Sequence, residues 1–572
     1  MGRMISRGLC ALALTYTVAA AAQTQPVAVT VSYAPVIGDD RVQALEVTLE
    51  VDGRHFAANE TVFSLPQVIT NVGSVAQTLG DLPAADADGP FTLKASLNPT
   101  ENPTENQSTD QAIKQWQASR ATTGPITVRY QAEVPEQAGA LGVAPPIELR
   151  ATGESVSAGT GIVVLEPAIE GELQYRVRWP RAATTGKNNK TGVSTLGVGD
   201  TGFQTFSSPA EFSATYFMYG DIGHYSSERG EFVTAWQGQP PFDALELMQW
   251  AEQLYAYYND FFEVDEAAQY VVFMRSNDIN PGGGMARGSS FILTYDEHTD
   301  AEKLKGTLSH EMFHTFLGGL AKPGGLESSW FSEGLAVYYQ WLIPLQGGMA
   351  SDEQYLSSFN STAVRYYTNI MNDTPNSEVP EGFWLDTRIR VLPYDRGSLY
   401  FAALNHRLQQ ASDGELSLND LLVYLREQEQ AGELLTEDLW LQALEKFAGV
   451  AEVTRFQQVQ QGALVELPDA ALGPRFERYT DTFRRYELGF APAALTEQPR
   501  RVRGLIEGSN AAKAGLKEGD IIVDPVPQDS IQGNQQATLT LKIQRGDEIF
   551  DVTYLPRGEQ VRAPQWRLKD DE

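Results

Sequence analysis

Between Val27 and Trp179, apolar residues recur at every second position: Val27, Val29, Val31 and Tyr33; Leu45, Val47, Leu49 and Val51; Ile126, Val128 and Tyr130; Leu173, Tyr175, Val177 and Trp179. Such alternation buries one face of a strand and wets the other, and the Gly, Pro and Asp residues between the runs supply turns. The pattern predicts an N-terminal β-sandwich over residues 23–180. Inside it, Asn98-Pro99-Thr100-Glu101 repeats at once as Asn102-Pro103-Thr104-Glu105, a polar, proline-bearing loop with no chemistry to offer. The stretch 180–191, with Thr-Thr-Gly-Lys-Asn-Asn-Lys, has the composition of a linker or exposed loop.

Past residue 200 the period changes. Pro240-Pro241 and the Asp243-x-x-Glu246 capping box open a helix. Strands are expected over 270–275 and 290–295, a helix over 300–320, and helices through most of 327–464. A mixed sheet with a helical part therefore occupies 192–475. From about Arg484 short strands return: Leu488-Gly489-Phe490, 501–506, 521–523, and a hairpin of 537–543 with 549–555 around Arg545-Gly546-Asp547. They form a small β-rich module over 483–560, and the chain is a multidomain α+β protein.

The helix expected over 300–320 carries His310-Glu311-Met312-Phe313-His314, followed after eighteen intervening residues by Glu333 in Trp330-Phe331-Ser332-Glu333-Gly334. Histidines at i and i+4 point the same way from a helix, so one metal ion can be held by both. Glu333 lies among Trp330, Phe331, Leu335, Val337, Tyr338 and Tyr339, where a carboxylate is costly unless it meets a cation. His310, His314 and Glu333 are thus a three-ligand zinc set, one ion per chain, and three protein ligands leave a fourth position for water. Glu311 is placed to act as general base. The chain has only six histidines, and two of them fall in this pentapeptide.

Arg3 and Arg7 precede an apolar stretch from Gly8 to Ala22 that ends Ala20-Ala21-Ala22, the pattern of a cleaved secretory signal over 1–22. Export to a periplasm or the medium is the expectation. Cys10, the only cysteine, lies inside that stretch, so the mature chain would contain no disulfide. No later apolar run reaches membrane-spanning length. A formal charge of −31 speaks against nucleic acid or an anionic membrane as partner, and fits a solvated acidic surface.

With these residues in view, the chain resembles the glycyl aminopeptidase family of zinc metallopeptidases, relatives of the aminopeptidase N group. The likeness rests on His310-Glu311-x-x-His314 with Glu333, the N-terminal β region and a C-terminal module similar to a PDZ domain. It implies a peptide or protein substrate. Pro393-Tyr394-Asp395-Arg396-Gly397 is similar to the Tyr-x-Lys-Gly stretch of the wider group, which implies that Tyr394 hydrogen-bonds the developing oxyanion. Gly282-Gly283-Gly284-Met285-Ala286-Arg287 stands where the family binds substrate backbone along a strand edge, implying substrate contacts at Gly283, Gly284, Met285 and Ala286. The family's amine-binding glutamate is Ala286 here, and Glu263, Asp265 and Asp296 are candidate substitutes. In the C-terminal module, Leu488, Gly489 and Phe490 resemble the PDZ loop that receives a peptide's terminal carboxylate, although 524–536 lacks the amphipathic period of the helix that should wall the groove.

Three functions follow as expectations: an aminopeptidase-like zinc peptidase; an endopeptidase of unusual specificity, because a methyl at Ala286 cannot pair an ammonium; and an envelope peptide-binding protein with an idle zinc site.

Overall fold

The computed structural model describes residues 26–98, 112–135, 146–180, 190–277, 281–287, 289–524, 526 and 528–569. The signal expected at 1–22, the Asn-Pro-Thr-Glu repeat beyond Asn98 and linker residues 181–189 lie outside them. Three regions follow one another: a large β-sheet region, a helical middle and C-terminal strands.

The alternating runs fall in strands Val27–Gly38, Arg41–Asp52, Ile126–Glu133 and Leu173–Arg178 of a ten-stranded sheet. Register sets Val31 opposite Leu49 and Val47 opposite Tyr130, which gathers the apolar set on one face. A five-stranded sheet packs there, with the rings of Tyr33 and Phe217 stacked at 4.2 Å. This second sheet takes Ser155–Gly159 from one side of the 181–189 stretch and Thr191–Ser194 and Tyr216–Gly220 from the other. The β region therefore continues in space past residue 180. All five residues of Tyr216–Gly220 are buried, so that strand shows no alternation to read.

A third sheet runs in the order Gly223–Ser226, Phe232–Trp236, Tyr270–Ser276, Ser290–Tyr295, Gly284–Arg287, with its three central strands parallel. Parallel strands are usually buried on both faces, and these are. Tyr270, Val272, Met274, Phe291 and Leu293 face the helical core, whereas Val271, Phe273 and Ile292 belong to the N-terminal β core. Arg275, 1% exposed, adds an ionic tie to the N-terminal region: its Nη2 lies 2.5 Å from Glu148 Oε2, and its Nη1 donates to the Glu148 carbonyl at 2.8 Å.

Asp243 caps the helix Ala244–Phe261 by accepting from the Glu246 N–H, one of the two bonds of the expected capping box. The motif helix is shorter than expected, Ala301–Phe316, because Leu317 turns extended and Gly318-Gly319 follow. After it come Ser329–Gln346, Asp352–Tyr367 and Leu392–Ala411, then three further helices that end at Gln460.

In the C-terminal region the hairpin forms as Leu539–Arg545 with Glu548–Tyr554, but Leu488-Gly489-Phe490 is a bend rather than a strand. Leu488 and Phe490 are core residues, the Tyr554 hydroxyl donates to the Leu488 carbonyl, and Gly489 sits at φ +90° with the Ala511 Cβ 2.6 Å from where a side chain would begin. Residues 501–506 make only an isolated bridge, Arg501 with Ile521. The 524–536 stretch holds a five-residue helix, Gln528–Gln532, whose Gln532 accepts a hydrogen bond from Thr387 of the helical middle. The chain also contains a ribbon the alternation does not announce, Phe476–Tyr486 paired with Arg557–Leu568.

Candidate active site

The motif helix has two faces. Leu304, Leu308, Met312, Phe313 and Phe316 are buried, His310 and Glu311 line a cleft, and His314 stands one turn on from His310 with its ring 5.1 Å away. Asp300 caps its start by accepting from the Glu302 N–H at 3.0 Å. Glu333 arrives from the next helix, Ser329–Gln346, and the two helices cross closely at Gly306, where a Cβ would stand 2.9 Å from Trp341 Nε1. Tyr394 comes from the start of Leu392–Ala411. That helix meets Ser329–Gln346 at a pair of glycines: a Cβ on Gly334 would lie 2.6 Å from the Gly397 Cα. The glycine after Glu333 and the one three places after Tyr394 thus let the two helices pack closely, with Glu333 against the two histidines and Tyr394 on the cleft that His310 lines.

Each of His310, His314 and Glu333 offers a ligand atom within 4.8 Å of the other two. His310 Nε2 is 3.2 Å and His314 Nε2 3.6 Å from Glu333 Oε2. Tetrahedral zinc with bonds of about 2.0–2.1 Å spaces its ligand atoms about 3.3 Å apart, so this donor set fits zinc in both chemistry and size. Burial pushes the Glu333 carboxyl up, but hydrogen bonds from both imidazoles hold it well below the usual range. Burial also depresses His310, yet its carboxylate neighbours leave it raised overall. A cation at this point would replace that shared proton. Gln340 is among the groups that raise His310, and it donates its Nε2 to Ser358 at 3.0 Å.

Glu311 is raised by burial, against the pull of His310 and His314 and of a hydrogen bond from the Ala286 backbone. Gly284–Arg287 is the outer strand of its sheet, antiparallel to Ser290–Tyr295, with one edge open beside the motif helix. Gly283 and Gly284 line the cleft. Phe291 fills the space of any side chain at Gly284, with its Cζ 2.0 Å from an ideal Cβ, and Met285 packs toward the N-terminal core. Only backbone is therefore offered at Gly284. The Tyr394 ring lies 6.3 Å from that of His310. The next two residues fasten it: buried Asp395 accepts from Arg365 Nε at 2.7 Å, and buried Arg396 donates to the carbonyls of Asn372 and Thr374.

The cleft encloses 960 Å³, near the upper end for ligand pockets. Its lining carboxylates are Glu302, Glu311 and Glu353, and Glu263, Asp265 and Asp296 are not among them. One wall was not anticipated from sequence. It is the helix Asp352–Tyr367, whose polar stripe resembles an ordinary solvated face. The signal that could have found it is the row of hydroxyl and amide residues at helical spacing opposite an apolar row.

Fold and site together define a zinc metallopeptidase. Residues 303–378, which span the motif helix, the Glu333 helix and the polar wall, match the model of the M61 glycyl aminopeptidase family. The crystal structure of an aminopeptidase N family protein from Idiomarina loihiensis is similar along 94% of this chain and 97% of its own, with a TM-score of 0.62 at 15% identity, so the two share a fold. A mutant of the M1 zinc metallopeptidase of Deinococcus radiodurans, bound to a Tyr-Ser-Ala substrate, matches 78% of this chain and 96% of its own at 16% identity, with a TM-score of 0.42. No curated protein matches the sequence. Among the described residues, no helix is long and apolar enough to cross a membrane.

Proposed function

We propose that the protein is an exported, aminopeptidase-like peptide hydrolase using one zinc ion held by His310, His314 and Glu333. The observation that carries this reading is the meeting of those three ligand atoms, with His310 also lining, beside Glu311 and Tyr394, the cleft that the Gly283-Gly284 strand edge borders. Zinc, when bound, supplies Lewis acidity toward a carbonyl oxygen and toward water. Substrate backbone adds to the edge at Gly283 and Gly284, which holds the scissile carbonyl in register. Glu311 takes the proton of the attacking water and returns it to the leaving amine. The Tyr394 hydroxyl donates to the oxygen that gains charge, an interaction strongest in the transition state. Export is supported by the Arg3, Arg7 and apolar pattern of the first 22 residues.

Glu311→Gln is expected to lower kcat by about 10²–10⁴-fold with zinc stoichiometry unchanged; full activity in that variant would sink the mechanism. A second reading, an endopeptidase, is favoured by Ala286: it meets Glu311 through its backbone, and none of the three substitute acids lines the cleft. Hydrolysis of free and N-acetylated peptide pairs, with and without chelator, separates the two readings. Restriction to free amines supports an aminopeptidase, and equal cleavage an endopeptidase. Tight peptide binding without turnover in the presence of zinc would return weight to the peptide-binding protein. The C-terminal module serves in this proposal as a structural cap rather than a receptor for a peptide C-terminus. Its Leu488-Gly489-Phe490 bend is packed into its own core, and the chain then enters a turn at Pro492–Leu495 instead of the strand a peptide would join.

A further inference from the structure

The helix Asp352–Tyr367 divides its faces between the helical core and the open cleft. Tyr355, Leu356, Phe359, Ala363 and Tyr366 pack into the helical core. Gln354, Ser357, Ser358, Ser361 and Thr362, at i, i+3, i+4, i+7 and i+8, line the same cleft as His310, Glu311 and Tyr394. At about 1.5 Å per residue the stripe is about 12 Å long, the reach of three to four extended substrate residues at about 3.3 Å each. It is not a plain solvent face, for Thr362 is only 4% exposed.

Part of the stripe is already committed. Gln354 Nε2 donates to Glu302 at 2.9 Å, and Ser358 accepts from Gln340 at 3.0 Å. Ser357, Ser361 and Thr362 have no hydrogen-bond partner among the described residues, so their hydroxyls meet water or substrate. An apolar side chain laid on them would strip that water and give nothing back, whereas a hydroxyl or amide would replace it. The cost of an unpaired polar wall makes such a site selective for the analogue that can pair.

We propose that this stripe is a substrate-reading wall, selecting peptides that carry hydroxyl or amide side chains (Ser, Thr, Asn, Gln) next to the scissile bond over apolar side chains of the same size. The inference rests on the peptidase reading above and names its substrate class. The test is kcat/KM for zinc-loaded protein on short alanine-based peptides in which one position at a time holds Thr or Val, or Asn or Leu. At one or more positions beside the cleaved bond, the polar member is expected to be favoured about tenfold. In Ser361→Ala/Thr362→Val, and separately in Ser357→Ala/Ser361→Ala, which leaves buried Thr362 in place, the ratio is expected to fall below about threefold. Ser358 is left intact because Gln340 links it to His310. Chelator-sensitive hydrolysis with a ratio near one, a preference for Val and Leu, or a polar preference that survives in both variants would overturn the inference and leave the peptidase reading standing. Absence of chelator-sensitive hydrolysis from every peptide would overturn the peptidase reading itself, and this inference with it.

Discussion

Gly334 and Gly397 touch almost backbone to backbone, and a Cβ on Gly397 would also meet the Trp330 carbonyl, 2.4 Å away. A methyl at either place must push apart the helices that carry Glu333 and Tyr394. Gly334→Ala is therefore expected to cost about 1–3 kcal/mol of stability by overpacking and to lower kcat more than a surface change of equal cost; denaturant unfolding and steady-state kinetics on one preparation check both. Tyr394→Phe keeps the packing and loses only the hydroxyl. It should reduce kcat by about 10²–10³-fold with a far smaller change in KM, and a reverse split, KM rising with kcat kept, would make Tyr394 a binding residue instead.

The elements that sequence makes legible are those with a single period and a dry face. The N-terminal strands alternate cleanly, and the zinc triad was readable because two ligands share one helical turn and the third sits in an apolar run. Tyr216–Gly220 was harder to assign because both its faces are buried. The ribbon Phe476–Tyr486 with Arg557–Leu568 was hidden for the opposite reason. Most of Phe476–Tyr486 is exposed or half-exposed and dotted with Arg, Glu and Thr, so no apolar face marks it. Its strength lies at one end, where Trp566 is 1% exposed against Phe359 and its backbone is bonded on both sides by the Asn360 side chain. Trp566→Ala should cost about 3–5 kcal/mol and loosen the polar wall, seen as faster amide exchange along residues 352–367.

At the scale of the whole molecule, the sheet whose outer strand is Gly284–Arg287 has no face of its own, since one side completes the N-terminal β core and the other the helical core. The two regions are expected to melt as one cooperative unit. Calorimetry showing separate transitions for them would contradict the shared core. Glu148→Ala would leave Arg275 with its buried charge unmatched and should lower that single transition by about 3 kcal/mol or more.

The tie between Asn360 and Trp566 joins residues 206 positions apart. During synthesis, domains form from the N-terminus onward, so the polar wall is made long before the strand that steadies it. Until Trp566 has emerged, Phe359 lacks its cover and the cleft lacks a fixed side. A chain that stopped short of Arg557 would hold every zinc ligand yet lack that support, and it is expected to hydrolyse peptide more slowly than the full chain.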